Sequence, residues 1–218
     1  MIQWDMVITY LPALLKGALV TIEVSLLTLV IATIAGTFMA LMRMSNNRFI
    51  RTFAFIYVWI MRGTPLLLIL FFVYYAFPSW GITLPAFAAA VLAMSLNSTA
   101  YKCEIIRSGI SAIPKGQTES AIAIGMSYWQ VFRRIILPQA TRIVLPPYMS
   151  NAILLVKNSA LVSVITVSDL MLNSQQIYSA TYRPVEILGT AGVLYLIMTS
   201  CLMLFQNWAE KKLSYYSR

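Results

Sequence analysis

Between Gly17 and Met42 the chain carries a single charge, Glu23, and that run limits the possible folds more than any other feature. About 20 apolar residues at ~1.5 Å rise per residue cover the hydrocarbon of a bilayer. Four more runs of comparable length follow. The predicted crossings are residues 17–42, 52–77, 84–106, 142–165 and 187–208, within a single domain over 1–218. The fold class is all-α integral membrane protein with five transmembrane helices. Of 218 residues, 60% are hydrophobic and 11% charged, against roughly 25% charged in a soluble domain. Asp5 and the lack of a basic leader predict that the first run stays as a span and is not cleaved.

The positions of the charges set the orientation. On a five-span reading one face holds Arg43, Arg48, Arg51, Lys102, Arg107, Lys115, Arg133, Arg134, Arg142, Lys211, Lys212 and Arg218, and the other holds Lys16 and Arg183. Twelve against two puts the N-terminus outside and the C-terminus in the cytoplasm by the positive-inside rule. The net charge of +9 is therefore read as membrane topology, and nucleic acid is not an expected partner. Cys103 and Cys201 lie in or beside apolar stretches and suggest no disulfide framework. With no His in the chain, a His-based metal site or general base is excluded. There is no phosphate-binding G-x-x-x-x-G-K-[ST] loop and no Ser/His or Cys/His nucleophile pair. No catalytic residue, metal site or cofactor is expected in this chain.

The longest interruption of the apolar pattern is Pro114–Ala140, PKGQTESAIAIGMSYWQVFRRIILPQA. Pro114 suits a helix start, because its missing N–H would be unpaired there in any case. Gly125 falls where a left-handed helix stop is needed. Ser127 and Gln130 have capping-box spacing for a second helix, and Pro138 is expected to break or bend it. The product is a pair of short helices at an angle, held on the water side by Lys115, Arg133 and Arg134. An amphipathic helix lying on the membrane surface would satisfy the same pattern.

This stretch resembles the EAA loop of permease subunits of bacterial ABC importers. The pattern E-A-A, three residues, G, nine residues, I-x-L-P falls on Glu119-Ser120-Ala121, Gly125 and Ile135-Ile136-Leu137-Pro138, with Ser120 where the family usually has Ala. R-G-T-P-L at Arg62–Leu66, N-S-T-A-Y at Asn97–Tyr101, E-I-I-R-S-G-I at Glu104–Ile110 and K-N-S-A-L at Lys157–Leu161 are similar to the polar amino acid branch, which includes histidine, glutamine, arginine and cystine importers. The resemblance implies that the loop between spans 3 and 4 is a coupling helix docking on a cytoplasmic ATPase dimer. Gly116, Glu119, Ser120, Ala121, Gly125, Ile135, Leu137 and Pro138 would carry that contact. It also implies ATP and Mg on that partner and a periplasmic or extracellular binding protein. The location implied is the bacterial inner membrane, and the cargo a polar amino acid. Five spans are few to enclose a pathway, so a second copy or a sibling permease is expected.

Ionisable residues inside spans are candidate sites. Counted from Pro147, Lys157 lies about 15 Å along span 4, near mid-membrane. Lys157 is expected to meet an α-carboxylate, with Asn158 and Ser159 supplying hydrogen bonds. Alternatively it pairs with an acid such as Glu23 or snorkels to the outer surface. Asn97 in the polar half of span 3 is a further candidate. Arg62, before the helix-loosening Gly63-Thr64-Pro65, either lines the pathway or sits at the cytoplasmic rim. Glu104 and Arg107 are expected to pair on one helix face. Many relatives have Asp where this chain has Asn158, which points to neutral polar or acidic amino acids. The rival functions are an ATP-independent channel or carrier and a non-transporting membrane scaffold.

Overall fold

The computed structural model describes residues 4–215, and every regular element among them is helical. The elements are α1 (Trp4–Arg43), α2 (Arg48–Gly63), α3 (Leu66–Phe71), α4 (Ala86–Ser111), α5 (Lys115–Ala123), α6 (Tyr128–Val131), α7 (Leu137–Asn158), α8 (Leu170–Thr181) and α9 (Pro184–Tyr215). By length and composition three helices are suited to cross a membrane: Asp5–Arg43, Tyr128–Ile165 and Pro184–Leu213. α1 and α9 thus extend beyond the predicted 17–42 and 187–208.

The predicted crossing 52–77 is not one straight helix. Arg48–Gly63 and Leu66–Trp80 meet at 104°. Gly63-Thr64-Pro65 makes the corner: Thr64 is extended (φ −98°, ψ 132°), and Pro65 offers no N–H to continue the ladder. α4 is long enough to span, but its second half carries Asn97, Lys102, Glu104 and Arg107. It lies between α1, α2 and α7, and Ala89, Ala90, Ala93, Ser98, Thr99, Ala100 and Cys103 are buried.

The interhelical loop differs from expectation in its second half. α5 starts directly after Pro114 and stops at Gly125, whose φ is +87°. The Gly125 N–H donates to the Ile122 carbonyl and the Met126 N–H to the Ala121 carbonyl, the paired bonds of a Schellman stop. Ser127 and Gln130 form the reciprocal capping box. Pro138, however, does not break the helix that follows. A π-turn over Phe132–Ile136 lets the Leu137 N–H reach back to the Phe132 carbonyl, and Pro138 follows at a position where the wider turn has loosened the ladder. α6 therefore runs into α7 as the foot of the same long helix. The two short helices are in fact one, α5, set beside that foot. Pro146-Pro147 likewise lies inside α7 and does not open it.

Three glycines allow close helix approach, and one of them, Gly17 of α1, lies against Asp169 and Asn173 at the start of α8. A Cβ on Gly36 of α1 would come within 2.6 Å of the Lys102 Cβ and 3.1 Å of the Thr99 carbonyl oxygen on α4. One on Gly109 of α4 would collide with the Val144 side chain on α7. Gly189 on α9 has nothing within 4 Å of that position. A Gly36→Ile variant is expected to lower the thermal midpoint of the purified protein by several degrees, because overpacking a filled contact strains it. Gly189→Ala should leave the midpoint unchanged or raise it. Equal effects from the two variants would contradict this packing.

Candidate functional site

A cavity of about 390 Å³ lies at the α2–α3 corner, between that corner, α4 and α7. That is within the roughly 300–1,000 Å³ range of ligand pockets. The corner supplies Arg62, Gly63, Thr64, Pro65 and Leu66; α4 supplies Met94, Asn97, Ser98 and Tyr101; α7 supplies Asn151, Leu154, Leu155 and Asn158. Helical period explains the choice from α7. Positions 151, 154, 155 and 158 follow i, i+3, i+4, i+7 and form one stripe.

The polar groups of this wall are uneven in their partnerships. The Asn97 amide donates to the Met61 carbonyl at 2.8 Å, tying α4 to the last turn of α2. The Tyr57 hydroxyl donates to the Leu96 carbonyl at 2.7 Å and reinforces that tie. The Arg62 guanidinium lies over the Tyr101 ring, 5.4 Å from its centroid. By contrast, Ser98 Oγ and Asn151 Oδ1 are buried with no hydrogen-bond partner. An unmade bond on a buried polar atom costs about 1–3 kcal/mol. Among the described residues that line the cavity, Arg62 is the one Lys, Arg, Asp or Glu. The site is thus cationic, amide-rich and without a carboxylate.

The K-N-S cluster read from sequence does not share one face. Asn158 lines the cavity, whereas Lys157 is exposed on another face and Ser159 is buried, donating to the Val156 carbonyl of its own helix at 2.7 Å. Successive residues of a helix point about 100° apart, so three neighbours cannot share one face. α7 begins at Leu137, and Lys157 lies roughly 30 Å along it at ~1.5 Å per residue, near its far end. Asn151 and Ser98 escaped sequence reading; Asn151 was detectable as the residue seven before Asn158.

A second polar cluster stands where α1 and α4 approach the predicted cytoplasmic side. Glu104 pairs with Arg107 at 2.8 Å, as expected, and also with Arg43 at 3.3 Å. Lys102, counted above as a surface charge, is fully buried. Its ammonium sits over the Tyr148 ring, 3.6 Å from the centroid, and donates to the Tyr148 carbonyl at 3.3 Å. Removing it from the count leaves eleven against two, so the sign of the asymmetry is unchanged. On α5, Glu119 and Ser120 are exposed and Ala121 is buried; Gly116, Gly125, Leu137 and Pro138 are exposed and Ile135 half-buried. Gln139 at the foot of α7 donates to Gln117 of α5 at 2.6 Å.

The sequence profile described as "Binding-protein-dependent transport system inner membrane component" matches residues 32–215. The chain belongs to that family. It is 39% identical to a probable amino-acid ABC transporter permease of Bacillus subtilis strain 168, over 99% of this chain and 98% of the relative. It is 37% identical to the arginine transport system permease of the same organism, over 97% of each. A solved structure titled as an amino acid ABC transporter with histidines superposes with a TM-score of 0.91 at 35% identity, covering 97% of this chain and 99% of that one. The chain is accordingly a multi-pass inner-membrane permease subunit of the ABC importer class, a pore component whose ATPase is a separate subunit.

In this family member the unpaired Asn151 oxygen weakens the fold. Asn151→Leu, of similar volume and without a polar atom, is expected to hold or raise the thermal midpoint of the purified permease. A fall of several degrees would show that Asn151 is bonded within the fold.

Proposed function

We propose that this permease passes a polar amino acid through the cavity at the α2–α3 corner. Arg62 receives the α-carboxylate, and Asn97, Ser98, Asn151 and Asn158 bond the rest of the molecule. The observation that carries this reading is a cavity lined by the cation Arg62 and by Ser98 and Asn151, each of which also holds a buried polar atom without a partner. Arg suits a carboxylate because its planar fork offers two parallel donors. Lys157, on the exposed face, is left to the outer surface or to a neighbouring subunit. A cavity with three Asn and no carboxylate favours neutral polar or acidic amino acids over cationic ones. Relatives named for amino-acid and arginine transport support amino acids as the cargo class.

Five crossings complete the proposed topology. The bent pair counts as one, and α4 as another, its polar half screened from lipid by α1, α2 and α7. The N-terminus is then outside, and α5 lies in the cytoplasm as the coupling helix. There it docks on an ATPase dimer that binds ATP and Mg, and a binding protein on the outer face delivers the cargo. A second copy or a sibling permease closes the pathway. Movement of one half against the other, biased by ATPase closure, opens it to alternate sides.

The test is uptake by the reconstituted transporter, with its binding protein and ATPase, across a panel of amino acids. Arg62→Gln is expected to lower uptake and substrate-stimulated ATP hydrolysis at least tenfold for the transported amino acid, leaving basal hydrolysis in place. Unchanged uptake in Arg62→Gln would remove the carboxylate role. Uptake that persists without ATP would favour the carrier alternative.

A further inference from the structure

The foot of the long α6–α7 helix carries a cleft of about 380 Å³ lined by Trp129, Gln130, Arg133 and Arg134. Arg133 and Arg134 lie four residues beyond Trp129 and Gln130, so each arginine is the one-turn neighbour of a cleft residue. Both guanidiniums are exposed. Neither has an ion pair or hydrogen bond among the described residues, whose ion pairs involve Glu104 and Glu186. Two like charges lining one cleft repel each other, and an anion bound between them would offset that repulsion.

The surroundings say where that anion resides. Trp129 is 66% exposed and stacks on Phe132, with centroids 5.8 Å apart. Tyr128 is 78% exposed. Exposed Trp and Tyr beside Arg characterise the headgroup level of a bilayer. The helix Tyr128–Ile165 has 38 residues, about 57 Å at ~1.5 Å per residue, against a hydrocarbon core of about 30 Å. Part of its length therefore lies outside the hydrocarbon, and on the orientation given above the foot is its cytoplasmic end, while Leu137 and Ile143, both exposed, continue an apolar surface that acyl chains would cover. We propose that Arg133, Arg134 and Trp129 bind the phosphate of an anionic phospholipid in the cytoplasmic leaflet, securing the foot of α7 beside α5. The leaflet assignment rests on the orientation given above; the phosphate chemistry does not.

Native mass spectrometry of the assembled transporter, purified with phosphatidylglycerol or with phosphatidylcholine, tests this. The parent should retain at least one more phosphatidylglycerol per permease than the R133Q/R134Q variant, with no difference for phosphatidylcholine. Millimolar inorganic phosphate should not displace it. Arg48→Gln/Arg51→Gln serves as the control for general basic charge and should retain the lipid. A headgroup-photoreactive phosphatidylglycerol should label residues 128–134 of the parent protein, a readout that needs no variant to fold. Equal retention in parent and R133Q/R134Q, equal loss in the control, labelling elsewhere, or displacement by inorganic phosphate would each overturn the proposal. So would loss of the ATPase from R133Q/R134Q in both lipids, which would assign the arginines to that subunit.

Discussion

A polar group in a bilayer interior needs a partner, and this permease meets that demand in two different ways. Several of its buried polar groups are paired. Asn97 bonds the Met61 carbonyl, Lys102 lies on Tyr148, and Glu104 holds Arg43 and Arg107. Five buried polar atoms among the described residues have no partner, and two of them belong to Ser98 and Asn151, which line the cavity. The paired groups fix the helices around a corner that the backbone itself creates. At that corner Pro65 ends the hydrogen-bond ladder of α2 and turns the chain by 104°. The cavity exists because a continuous helix through 52–77 does not.

The same helices that wall the cavity also carry α5. α4 enters α5 through Pro114, and α7 rises from its other side through the Gly125 stop and the Ser127–Gln130 capping box. Contacts between α4 and α7 recur along their length: Gly109 against Val144, and Lys102 against Tyr148. Gln117 and Gln139 close the lower end. Well-packed elements move as bodies more readily than they deform. A force on α5 would therefore reach Asn97, Ser98, Asn151 and Asn158 as a shift of whole helices.

The sequence was most legible where a signal is local. Gly125 and the Ser127–Gln130 pair announced their own conformations, because a left-handed stop and a capping box depend on a few adjacent residues. Glu104 and Arg107 likewise lie one turn apart on one helix. Proline was harder to read. Pro65 marks a sharp corner, Pro138 follows a π-turn within a continuous helix, and Pro146-Pro147 sits inside α7. The residue is the same, but the neighbouring turns decide its effect. Lys157 misled for a related reason. Its depth was counted from a helix start that proved to be elsewhere, and adjacency in sequence was read as adjacency in a site. Lys102 is a case of tertiary context, since nothing in its own helix reveals that Tyr148, 46 residues away, supplies both a ring face and a carbonyl.

If the cavity is the passage and α5 its lever, nucleotide on the partner must change the side from which the cavity is reached. The direct measurement is labelling of an Asn158→Cys variant, in a Cys201→Ser background, with a membrane-impermeant thiol reagent applied to each face of the assembled transporter. Access from the cytoplasmic face without nucleotide, and from the outer face with ATP bound and hydrolysis blocked, is the predicted result. Labelling from the same face in both states would contradict it.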